Sequence, residues 1–88
     1  MKLIRVTAMW CTSCLLMKKR WNKAFSEFNS LEIIDYDFDE DTDHIQAYNI
    51  GSTLPVVLFV DDSLIELERM VGEKSVQEIV SSVRKYLT

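Results

Sequence analysis

Apolar and polar positions along the chain change period several times, and each change marks an element. Residues 3–8 (Leu-Ile-Arg-Val-Thr-Ala) are mostly apolar or β-branched, the pattern of a short strand. After Cys11 the period lengthens. Cys14, Met17, Trp21, Ala24, Phe25 and Phe28 recur at three- and four-residue steps, with Lys18, Lys19, Arg20 and Lys23 on the other faces. This predicts an amphipathic helix of about 16 residues, ended by Asn29-Ser30. Leu31 to Phe38 returns to period two, with Ile34, Tyr36 and Phe38 on one face and Ile33, Asp35 and Asp37 on the other. A strand with charges along one face suits a sheet edge. A short helix is predicted over residues 41–49, with Ile45 and Tyr48 inward and acids in its first turn, and Gly51-Ser52-Thr53 breaks it.

Pro55 opens Val56-Val57-Leu58-Phe59-Val60, a wholly apolar run expected to be a strand buried on both faces. Asp61-Asp62-Ser63 is turn chemistry, and Leu64 to Val71 reads as the second arm of a hairpin with Glu66 and Glu68 outward. Ser75-Val76-Gln77-Glu78 is a capping-box sequence, and Val76, Ile79, Val80, Val83 and Leu87 trace the apolar face of a last helix. The predicted order is β-α-β-α-β-β-α without repeat, linker or low-complexity tract, in one domain spanning residues 1–88. A right-handed connection is expected between the first two strands if they are parallel.

Size and composition narrow the class. A chain of this mass should expose roughly 5,400 Å² when folded and bury about 64% of its unfolded surface, a thin but sufficient core. At 48% apolar and 27% charged residues it is neither disordered nor collagen-like. No apolar run approaches 18 residues, so no membrane span is expected. Lys2 and Arg5 interrupt the first apolar residues, so a signal peptide is not expected either. A net charge of −4 argues against a general nucleic-acid binder, which needs a basic surface to release phosphate counterions. The expectation is a small cytoplasmic protein, a monomer, without nucleic-acid or membrane partners.

The candidate chemistry lies in Met9-Trp10-Cys11-Thr12-Ser13-Cys14, at the end of a strand and the start of a helix. Two cysteines at this spacing can close a small disulfide ring. The helix start offers unpaired N–H groups and a positive dipole end, both of which favour a thiolate at Cys11, the reactive form in disulfide exchange. Cys11 is therefore the candidate exposed nucleophile, and Cys14, one turn in on the apolar stripe, the buried resolving thiol. Two other readings stand beside this one. The pair could be half of a zinc site, although the chain has no third cysteine and His44 is its only histidine. The cysteines could also be core residues packed as small hydrophobes. The strand-then-helix context favours the redox reading.

Trp10-Cys11-Thr12-Ser13-Cys14 resembles the Trp-Cys-x-x-Cys of thioredoxins. Leu54-Pro55 before the buried strand resembles the family's cis-proline site, and Val71-Gly72 between the last strand and helix resembles its glycine site. The resemblance runs from residue 2 to residue 87. It implies a thioredoxin-like α/β fold of glutaredoxin size, a four-stranded mixed sheet flanked by three helices. It also implies a Pro55 that is cis and packed on a Cys11–Cys14 disulfide, and a Leu54 backbone that pairs with an extended substrate segment. Gly72, lacking a Cβ, would admit that segment closely, and Trp10 would form the apolar rim.

The departures from the family concern tuning. Thr12-Ser13 replaces the usual Gly-Pro, so an N–H that proline lacks is restored and two hydroxyls are added near Cys11. Arg5 stands where thioredoxins carry a buried carboxylate, and the partner lysine position falls at Asp35, so the charges look exchanged. Donors at Thr12 and Ser13 and the charge of Arg5 should lower the Cys11 pKa and raise the potential from a thioredoxin value of about −270 mV to about −240 to −210 mV, unless Arg5 is engaged by Asp35. Thr53-Leu54-Pro55 and Val71-Gly72-Glu73-Lys74 match the glutathione-grasping segments of glutaredoxins poorly.

The resulting expectation is a thiol–disulfide oxidoreductase that reduces protein disulfides, fed by a reductase or dithiol donor, with no cofactor beyond its own disulfide and no metal. A glutathione-coupled glutaredoxin-like protein and a thioredoxin-fold binding module without redox turnover are the alternatives. The remaining features have plainer readings. The six acids between Asp35 and Asp43 read as a solvated turn leading into a helix, Lys18-Lys19-Arg20 as a wet helix face, His44 as a surface residue, and Met9, Met17 and Met70 as packing or rim residues.

Overall fold

The computed structural model describes residues 1–87. Seven elements follow in the expected order: β1 (Lys2–Thr7), α1 (Thr12–Phe25), β2 (Glu32–Asp37), α2 (Thr42–Ala47), β3 (Val56–Val60), β4 (Glu66–Val71) and α3 (Val76–Leu87). The strands form one sheet in the order β2-β1-β3-β4. β1 and β2 are parallel, while β3 runs antiparallel to both β1 and β4. This mixed sheet with three helices is a thioredoxin-like α/β fold.

The period-two side chains of β1 and β3 divide the core between the two faces of the sheet. Leu3, Val57 and Phe59 pack with Met17, Trp21, Ala24 and Phe25 of α1 and with Ile79, Val80 and Val83 of α3. Ile4, Val6, Val56, Leu58 and Val60 pack on the opposite face with Ile45 of α2. Every residue of β3 is buried, as its unbroken apolar run requires. The charged strand β2 lies at an edge. α3 begins with the predicted capping box: Glu78 N–H donates to Ser75 Oγ at 3.1 Å, and Ser75 N–H donates to Glu78 Oε2 at 3.0 Å.

Two helix boundaries differ from the sequence pattern. α1 has 14 residues because Ser26 closes it, its N–H donating to Asn22 O and its hydroxyl to Lys23 O. Phe28 still packs on the core, from a turn beyond the helix end. Asp41 stands at the N-cap of α2 without capping it, because its carboxylate accepts Asp37 N–H at 2.7 Å instead.

The largest correction falls on β4. Glu68 is not turned outward: its carboxylate accepts from Ser82, Lys85 and Tyr86 of α3. Glu66 is exposed as expected, and so are Leu64, Ile65, Leu67 and Val71. The cause is a register shift in the ladder, where Phe59 pairs with Glu68 but Val60 pairs with Glu66, leaving Leu67 as an extra residue.

Candidate active site

The turn after β1 places the cysteines. Cys11 N–H donates to Ala8 O at 3.2 Å, and Cys11 then adopts extended backbone as the N-cap of α1. Its Sγ occupies the place of a capping oxygen and accepts Cys14 N–H at 3.1 Å. Cys11 and Cys14 are joined as a disulfide with their Cα atoms 5.3 Å apart. A donated N–H and the positive end of a 14-residue helix both converge on the Cys11 sulfur.

The expected contrast in exposure is absent from this disulfide form, since both cysteines are 6% exposed. Their difference lies in position: Cys11 caps the helix and receives the N–H, whereas Cys14 sits within the first turn. Both belong to the same buried cluster as Leu54 and Ala8. Beside Cys14, a cavity of about 370 Å³ is lined by Lys18, Trp21, Asp35 and Asp37 as well as Arg5.

The segment before β3 and the segment after β4 meet next to this cluster. The Leu54–Pro55 peptide is cis, and both residues are buried. Gly72 N–H donates to Pro55 O at 2.8 Å, extending the Val56–Val71 register by a further backbone contact. Gly72 has φ +81°, a conformation that disfavours side chains, and a Cβ there would meet nothing within 4 Å. The space over Gly72 is therefore open.

Trp10 is half exposed and fixed in orientation. Its indole Nε1 donates to Asp39 Oδ2 at 2.8 Å, and its ring meets Phe38 edge-on at 6.0 Å. Met9 beside it is almost fully exposed, and Leu15 is also largely exposed on the first turns of α1. Met9 and Leu15 line the cavity beside Cys14, and Trp10 directly precedes Cys11, so exposed apolar side chains flank both cysteines.

The residues expected to tune the sulfur are engaged elsewhere. Arg5 and Asp35 face each other across the β1–β2 ladder, with Arg5 Nε donating to Asp35 Oδ1 at 2.7 Å and the second guanidinium nitrogen to Oδ2 at 2.9 Å. A paired carboxylate largely cancels the field of Arg5 at a sulfur, so its expected contribution to the potential loses its basis. Ser13 Oγ donates to Glu73 Oε2 at 2.8 Å, which directs its proton away from both cysteines. Thr12 is the exposed first residue of α1.

Two contact residues were missed in the sequence. In sequence Asp39 reads as part of the acidic turn, and Glu73 only as part of the segment Val71-Gly72-Glu73-Lys74. Only the neighbourhood of Glu73 to Gly72 hinted at a place near the site, and nothing local identified its partner. His44 stacks on Tyr36, with ring centroids 4.2 Å apart and planes 4° from parallel, and among the described residues no group of three or more His, Cys, Asp or Glu could hold a metal ion.

Comparison with known proteins agrees with this geometry. The thioredoxin family model matches residues 1–85, so the chain belongs to the thioredoxin family. It is 34% identical over 65 residues to a thioredoxin of Mycoplasma genitalium, a match covering 74% of this chain and 62% of that relative, less than two thirds of its length. Among solved structures it resembles thioredoxin-2 of the malaria parasite, a component of the protein secretion machinery there, with a TM-score of 0.85 at 15% identity over 97% of this chain and 82% of the other. It also resembles thioredoxin 1 of Thermosipho africanus, with a TM-score of 0.82 at 22% identity over 99% of this chain and 94% of the other. At those identities the structural likenesses concern the fold.

Proposed function

We propose that this chain is a thiol–disulfide oxidoreductase acting on protein disulfides. The observation that carries the reading is the position of Cys11, an N-cap whose sulfur accepts the Cys14 N–H while bonded to Cys14. In the dithiol form, the Cys11 thiolate attacks one sulfur of a substrate disulfide. A mixed disulfide forms and one substrate thiolate leaves. Cys14, once deprotonated, attacks the Cys11 sulfur, re-forming the Cys11–Cys14 bond and releasing the second substrate thiolate. The substrate gains two electrons and, from solvent, two protons; the protein is left oxidised by the same two electrons.

A reductase or dithiol donor restores the dithiol form. No further cofactor is needed, because the two sulfurs carry both electrons. The exposed apolar side chains of Met9, Trp10 and Leu15 and the open space above Gly72 suit an extended substrate segment laid beside Leu54. The reading includes a monomer working in the cytoplasm, a compartment in which a lone Cys-x-x-Cys pair serves catalysis rather than structural cross-linking.

The test combines turnover with the order of the thiols. The protein should reduce insulin disulfides with dithiothreitol as donor, and Cys11→Ser should abolish this. In the dithiol form, iodoacetamide should label Cys11 before Cys14, with a midpoint below the ordinary thiol value near 8.5. Cys14→Ser should accumulate a mixed disulfide through Cys11. A Cys11→Ser variant as active as the parent overturns the reading, and preferential labelling of Cys14 reverses the two roles.

A further inference from the structure

The Ser13–Glu73 contact joins the turn between the cysteines to the loop after β4. The loop is held at two more points, for Lys74 N–H donates to Met17 Sδ at 3.4 Å and the Arg20 guanidinium donates to Lys74 O at 3.0 Å. Glu73 is exposed, yet its carboxylate is tied to the second residue of α1 rather than free in solvent. α1 has no acidic residue in its own first turn. Glu73 thus supplies, from a distant part of the chain, the anion that the positive end of this helix favours.

The same helix end is where the Cys11 thiolate forms. In the disulfide form the sulfurs are neutral, and the carboxylate has the helix terminus to itself. Reduction and loss of the Cys11 proton bring a second negative charge to that end, and like charges disfavour one another.

Arg5 and Asp35 neutralise each other, Asp39 accepts from Trp10, and Lys18 and Asp37 line the cavity beside Cys14. Lys74 follows Glu73 on the same loop.

We propose that Glu73 is a positioning residue for redox poise: held by Ser13 at the start of α1, it stabilises the Cys11–Cys14 disulfide relative to the dithiol and makes the pair more reducing. The effect runs opposite to that expected of a Ser13 hydroxyl donating to the sulfur. The inference rests on the proposed redox role of the cysteines and adds a determinant of their potential.

The experiment equilibrates the purified protein with glutathione and glutathione disulfide. Two glutathione thiols give two electrons and two protons to the protein disulfide, leaving the protein dithiol and one glutathione disulfide. Glu73→Gln keeps an acceptor for Ser13 and removes the charge. It should shift the equilibrium constant toward the dithiol by about three- to tenfold, tenfold being about 30 mV for this couple, and lower the Cys11 alkylation midpoint.

Raising salt from about 0.05 to 1 M should move the parent protein in the same direction and leave Glu73→Gln nearly still, because screening at 1 M acts within about 3 Å. Ser13→Ala, which releases Glu73 to solvent, should shift the constant the same way, and the double variant no further than Glu73→Gln. A Glu73→Gln constant within twofold of the parent, or shifted toward the disulfide, overturns the inference while leaving the redox reading intact. A parent protein whose disulfide does not exchange with glutathione or dithiothreitol at all overturns the redox reading, and this inference with it.

Discussion

Glu68 shows how one residue can be misread from sequence and still organise its surroundings. Its carboxylate accepts from Lys85 Nζ at 2.7 Å and from Ser82 Oγ and Tyr86 O–H at 2.9 Å each, fastening the edge strand to α3. The hydrogen bond from Lys85, followed by those from Ser82 and Tyr86, holds the carboxyl below the ordinary carboxylate range, against an opposing effect of burial. A folded pKa below the unfolded one means that the unfolded chain takes up the proton first as pH falls. The stabilisation is therefore complete above about pH 5 and is lost as pH drops through the ordinary glutamate value toward the lower folded one. Glu68→Gln should cost about 1 kcal/mol at pH 7, solvent screening keeping the figure small, and little at pH 3. Thermal melts of both proteins across this range check it: curves that stay parallel down to pH 3 would show that the carboxylate charge is not what binds α3.

At the scale of elements, the β3–β4 hairpin holds the clearest local conflict. Asp61 N–H donates to Ile65 O, Leu64 N–H donates to Asp61 O, and Asp61 Oδ1 accepts from Ser63 and Ile65 N–H. This turn requires φ +64° at Leu64, a left-handed position usually given to Gly or Asn. Because Leu occupies it, the sequence pattern places the start of the strand at Leu64, two residues before Glu66. The Leu67 bulge then reverses the alternation that the pattern assumes. Left-handed backbone costs a side-chain-bearing residue about 1–2 kcal/mol, so Leu64→Gly, after the entropy cost of glycine, should stabilise the fold by about 0.5–1 kcal/mol. The urea midpoint should rise with unchanged slope. A lower midpoint would mean that the contacts still made by the exposed Leu64 side chain contribute more than its backbone costs.

Elsewhere the local signals agree with the fold. The α3 capping box, the apolar run of β3 and the charged face of β2 were each legible because the determinants lie within a few residues of one another. Cys11 and Cys14 were legible for the same reason. The Ser13–Glu73, Trp10–Asp39 and Arg5–Asp35 contacts join residues 60, 29 and 30 positions apart, and no local pattern encodes such pairings. Only Arg5–Asp35 was foreshadowed, through the exchange of charges relative to the family.

At the scale of the whole molecule, the exposed surface is 5404 Å², the area expected of a chain this size, and the core is a single sheet thick on either side. A domain of this length has about 4–13 kcal/mol of net stability, so one large core truncation takes up much of it. The two faces, however, serve different ends. Phe59 and Leu58 are neighbours on β3, both fully buried, yet Phe59 belongs to the cluster with α1 and α3, whereas Leu58 belongs to the cluster that contains Cys11, Cys14 and Leu54. Phe59→Ala should cost about 3–5 kcal/mol and Leu58→Ala about 2–5 kcal/mol, each including the cavity left behind. Measured well below their melting temperatures, the two should then part. Leu58→Ala loosens the packing that supports the cysteines and should shift the glutathione equilibrium or slow insulin reduction severalfold, while Phe59→Ala in its folded fraction should retain both. Equal losses of exchange in the two variants would mean that the sheet transmits packing changes from either face to the disulfide.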